Sequence, residues 1–291
     1  RLAAIGREVD RRVLGDRVDT LHRDVERYGW ELELRAWLRA GAADPVRRRR
    51  PGLAVVLEVA ARLDLEGLDV VVADVLLDPD ADGLVVEVAA HRARHVRFDE
   101  GETRFRAWAG LVARLDAGAE APWAVQAVPS LAHLGLAGSI PWLTATAAHG
   151  AVDVARAAAY GLLDLGAGST RPKADIDAAT LETSSRALLA RWRREQDSDE
   201  RSVARRDLRG PLLWALGSLA TEATTAEVAD AIRETIVRDD ALEAAGALAA
   251  ARGLLRGRAR GGASRALGAA LRRAPTDTAD RFWGLLAQAR G

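Results

Sequence analysis

Ile140-Pro141-Trp142-Leu143-Thr144-Ala145-Thr146-Ala147-Ala148-His149, then Gly150-Ala151-Val152-Asp153, then Val154-Ala155-Arg156-Ala157-Ala158-Ala159-Tyr160-Gly161-Leu162-Leu163-Asp164-Leu165-Gly166, is the stretch that decides the fold. Two Ala- and Leu-rich runs flank a turn carrying Gly150 and Asp153. Ala costs least in a helix and Leu little more, so each run reads as a helix and the whole as a helical hairpin. Ala157, Ala158 and Gly161 let two helices approach closely, while Leu162 and Leu165 fill the space between hairpins. Gly166 is expected to end the second helix as a left-handed cap.

The same texture extends in both directions. From Leu53 onward, apolar residues at helical spacing are punctuated by Gly, Asp or Pro. The spacing predicts helices over 53–64, 67–77, 83–97, 103–116, 123–135, 139–149, 151–165, 177–195, 203–220, 224–237, 240–255, 262–273 and 277–289. A second copy of the opening pattern is Leu208-Arg209-Gly210-Pro211-Leu212-Leu213-Trp214-Ala215-Leu216-Gly217-Ser218-Leu219. Looser copies span Val228–Leu255, with an Asp239-Asp240 turn, and Leu76–Val96, with an Asp78-Pro79-Asp80 turn. Arg104–Leu115 fits a further second helix.

These segments resemble the HEAT-like repeat found in phycobilisome-lyase relatives. That repeat has a Pro near the start of its first helix, an Asp-bearing turn, and a second helix of the form V-R-x-A-A-x-x-A-L-x-x-L-G. The resemblance is sharp at 140–166 and 208–219 and implies an all-α chain, an α-solenoid of antiparallel helix pairs stacked as a HEAT-like superhelix. Residues 1–50 are expected to form an N-terminal helical region and 51–291 the solenoid. The pattern lapses over 167–202, leaving room for an interruption. In the N-terminal region, helical spacing breaks near Gly15 and Tyr28-Gly29, and Gly41–Pro45 reads as a turn before Arg47–Arg50.

Composition agrees with an all-α class. Of 291 residues, 49% are apolar, yet there are only 8 Trp, 3 Phe and 2 Tyr. Forty-two basic residues balance 42 acidic ones, which argues against a life on nucleic acid or an anionic membrane. Lys173 is the one lysine, and Asn, Met and Cys are absent, a bias expected of a GC-rich, actinobacterial type of genome rather than of a function. Without cysteine there is no disulfide framework and no thiolate chemistry. No apolar run approaches the length of a membrane span, and a cytoplasmic location is expected.

Asp78-Pro79-Asp80-Ala81-Asp82-Gly83 opens like a calcium loop, but the twelfth position, which needs a bidentate Glu, is Ala89. An acidic turn starting a helix is the better reading. Glu87, His91, His95 and Asp99 recur every four residues, which suits a solvated stripe more than a metal site. His133 and His149 are expected at hairpin tips. No catalytic, cofactor or metal residue is assigned. The expected role is a non-enzymatic binding or scaffold module that offers a curved helical surface to a protein partner. The alternatives are a nucleic-acid-binding HEAT-like protein, such as a DNA alkylation-repair glycosylase, and a regulatory segment of a larger protein. The nucleic-acid alternative, the less favoured one, would use Arg256, Arg258, Arg260 and Trp214.

Overall fold

The computed structural model describes residues 12–98, 101–118, 123–166, 176–197, 203–238, 241–257 and 260–288. Among these residues the chain is all-helical, with sixteen helices and no strand. They are α1 (Leu14–Tyr28), α2 (Glu31–Ala43), α3 (Pro45–Arg48), α4 (Gly52–Arg62), α5 (Leu68–Leu77), α6 (Gly83–Arg92), α7 (Gly101–Gly118) and α8 (Ala124–His133), then α9 (Ser139–His149), α10 (Val152–Gly166), α11 (Ala178–Asp197), α12 (Val203–Leu219), α13 (Thr225–Val237), α14 (Ala241–Arg256), α15 (Arg260–Leu271) and α16 (Thr276–Gln288). No described helix is long and apolar enough to cross a membrane.

The helices fall into two compact units, Arg1–Leu134 and Gly135–Gly291. In the first, α1, α4, α6 and α8 pack side by side as one row, and α2, α5 and α7 as another. In the second, α10, α12, α14 and α16 form one row. Across from it α9 packs on α11 and α13 on α15, with Arg193 of α11 reaching Glu227 of α13 at 3.4 Å. Within each unit the rows are thus built from helices that alternate along the chain. The N-terminal helices α1 and α2 pack onto α4 and α5 within the first unit.

Local sequence explains the element ends. Gly29 adopts a left-handed φ of 66° and closes α1, its N–H donating to the Val25 carbonyl. Asp82 caps α6 by accepting from the Leu84 and Val85 N–H groups. Asp44 does the same for α3, accepting from Val46 N–H ahead of Pro45. Three expectations need correction here. Gly15 lies in the first turn of α1 rather than at a break, and α2 runs through the stretch read as a turn as far as Ala43. Gly166 is the last residue of α10 and not a left-handed cap. Its missing side chain serves packing instead: a Cβ there would meet Leu219 Cδ2 at 2.9 Å and Ser218 Cβ at 3.1 Å, both on α12.

The core is built from small and branched aliphatics. In α10, Ala155, Ala158, Ala159 and Leu162 are fully buried, and Ala157, Gly161 and Leu165 are buried beside them, as the hairpin reading required. Arginine closes helix ends from the neighbouring helix. Arg191 and Arg194 of α11 donate to the Ala148 carbonyl at the end of α9, at 3.1 and 2.8 Å, where unpaired carbonyls and the negative end of the helix dipole attract cations.

Ion pairs join the helices of each row. In the first unit they are Arg62–Asp19, Arg92–Glu58 and Arg106–Asp74, with sequence separations of 43, 34 and 32. In the second they are Arg193–Glu227, Arg209–Glu243 and Arg273–Asp230, separated by 34, 34 and 43. The equal numbers of acidic and basic residues thus have a structural counterpart. Many arginines are spent on carboxylates one helix pair away.

Candidate interaction face

The row α10–α12–α14 is held together by missing side chains. A Cβ on Gly246 would lie 2.7 Å from Gly210 Cα, and one on Gly217 would lie 2.6 Å from Ala250 Cα. The contacts advance in the same direction along both chains, so α12 and α14 run parallel at near-backbone contact. Trp214 lies four residues after Gly210 and three before Gly217, on the same side of α12. Trp214 is 37% exposed and meets the ring of Tyr160 of α10, itself 42% exposed, edge to face with centroids 6.3 Å apart.

In the first unit the row α2–α5–α7 is similar in kind. Gly110 of α7 rests on α5, where a Cβ would stand 2.7 Å from the Leu76 carbonyl carbon. Leu32 of α2, Val70 and Leu77 of α5, and Phe105 of α7 are exposed, with Phe105 tilted against Trp108 at 5.5 Å.

Within each unit, exposed large apolar residues concentrate on one row. In the second unit they are Tyr160, Trp214, Trp283 and Leu285 on α10, α12 and α16. Among the described residues the opposite rows show Tyr28 and Val237, each the last residue of its helix as Leu77 is of α5, and Val13 at the start of α1. Scattered exposed apolar residues are ordinary; here most of them lie on one row of each unit.

The acidic turn after α5 has a structural explanation. Arg48 donates to Asp78 at 2.7 Å, Arg49 reaches Asp80, and Arg114 of α7 reaches back to the Asp78 carbonyl. Burial alone would raise the Asp78 carboxyl. Hydrogen bonds from Arg48 and the Asp80 N–H, with the charges of Arg48 and Arg49, hold it below the ordinary carboxylate range. The Arg47–Arg50 run and the calcium-loop look-alike are therefore partners of each other. Between them lies a polar cleft of about 440 Å³ lined by Ala43, Arg48, Asp74, Leu77, Asp78, Pro79 and Arg106, with its charges already matched.

His91 and His95 lie at the end of α6 with ring centroids 5.5 Å apart. Burial lowers both imidazoles first. His91 is lowered further by Arg92 against the pull of Glu58, and His95 by His91, Arg92, Arg94 and His133. Among the described residues no group of three or more His, Asp or Glu side chains could hold a metal ion. Asp99, the last member of the stripe, lies outside the described residues. His133 and His149 end α8 and α9 and are exposed, at the tips where the sequence placed them.

Of the residues singled out for nucleic acid, Trp214 is on the exposed row as described and Arg256 is exposed at the end of α14. Arg258 lies outside the described residues, as does the Asp239-Asp240 turn, and of Arg260 only the backbone, opening α15, is described. Sequence reading missed Tyr160. Its signal was the run Asp153, Arg156, Tyr160, Asp164, spaced three, four and four, which puts a tyrosine on a polar stripe of an otherwise buried helix. No family model, curated protein or solved structure matches the chain.

Proposed function

We propose that the chain is a HEAT-like α-solenoid that acts as a non-enzymatic binding module, presenting one helix row to a protein partner. The observation that carries this reading is the segregation of exposed large apolar side chains onto α2–α5–α7 and α10–α12–α16. Water-exposed Leu, Phe and Trp on one side of a helical layer are costly unless something covers them. A repeat is supported by the ion pairs and buried hydrogen bonds between neighbouring helices of a row. Ser130 to the Ala90 carbonyl and Thr144 to Ser184 are both separated by 40 residues, and the ion pairs by 32 to 43. Helical repeats of the tetratricopeptide and HEAT kinds have periods of about 34 and about 40–47 residues.

Protein is favoured over nucleic acid because so many arginines are already held by carboxylates. A phosphate-binding face needs guanidinium groups free to displace counterions. Photo-crosslinking tests the reading, with p-benzoylphenylalanine placed singly at Phe105 and Trp214 on the exposed rows, and at Gln126 and Arg186 on the opposite rows. Protein adducts from extracts of the native host should form at the first two positions and not at the last two. Equal adducts from both rows, or adducts to nucleic acid, would overturn it.

A further inference from the structure

We draw no further inference here: the strongest candidate, the exposed aromatic pair of Tyr160 on α10 and Trp214 on α12, belongs to a helix face for which nothing in the structure shows what covers it.

Discussion

The contact of α12 with α14 and the contact of α4 with α6 solve the same problem, holding parallel neighbours in a row, by opposite means. The first removes side chains: Gly210, Gly217, Gly246 and Gly253 bring the backbones together. The second keeps them: Val55, Val56, Val59, Val85, Val86 and Val88 are buried, and the part-buried pair Arg92–Glu58 bridges the helices. A glycine seam has no freedom to yield, because what lies opposite is backbone. A valine seam yields by rotamer, and depends more on its charges being satisfied. The two should therefore fail under different insults.

The largest effect belongs to the glycine seam. Gly217→Val places branched bulk against the Ala250 backbone and should prevent α12 and α14 from docking, costing about 3 kcal/mol or more. Thermal melting followed by circular dichroism should show the loss, and an unchanged midpoint would mean the helices are not in backbone contact. Ala158→Leu, at a fully buried position of α10, should follow at about 1–3 kcal/mol by the same measurement.

Ion pairs come next and sort by burial. Glu243→Ala strands Arg209, whose side chain keeps some exposure, and should cost about 2 kcal/mol in urea unfolding, below the range of a fully buried pair. Asp80→Ala frees Arg49 at a pair more than half exposed, and should cost no more than about 1 kcal/mol. Equal costs at the two sites would mean that burial does not govern how these pairs act.

On the α6 side the comparison sharpens with pH. His91 and His95 are lowered in the folded chain, so the unfolded chain takes up protons first as pH falls through about 6.5. Stability should be full above that value and decline as pH drops through it toward the folded values. The Asp78 contribution is present above its unfolded value, near 4, and is lost only as pH falls through the lower folded one. Urea midpoints between pH 7.5 and 5.5 should fall, and the slope should shrink in His91→Gln. A slope unaffected by that substitution would assign it to other groups.

The smallest effect lies where a glycine has room. A Cβ on Gly268 of α15 would meet only the tip of Arg272, at 3.8 Å, so Gly268→Ala should be neutral or stabilise by up to about 1 kcal/mol. A marked loss there would show that α15 is packed more tightly than its geometry implies.

Which of these features were legible in the sequence follows from their range. Helix α9 spans 139–149 as the periodicity predicted, and most others begin and end within a few residues of it, because Ala/Leu spacing and Gly, Asp or Pro punctuation are local signals. Helix α3 falls where the sequence predicts a turn, since four residues around Pro45 carry no periodicity. The small-residue side of α10 was legible, but the reason for Gly166 was not, because Leu219 and Ser218 lie beyond the residues that separate α10 from α11. Arginines looked available for phosphate for the same reason: Arg209 meets Glu243 only after the chain has turned through α13. Tyr160 and Trp214, 54 positions apart, become neighbours only once α10 and α12 lie side by side.

The most direct test of the central claim, that the arginines hold helices rather than phosphates and leave an apolar row for protein, is a titration of labelled duplex DNA followed by fluorescence anisotropy at two salt concentrations. Proteins devoted to DNA bind non-specific duplex at about 10⁻⁴–10⁻⁶ M, falling steeply as salt rises. The expected result is affinity at or below the weak end of that range. Micromolar binding with a steep salt slope, lost when Arg256, Arg258 and Arg260 are changed to Ala, would contradict the account.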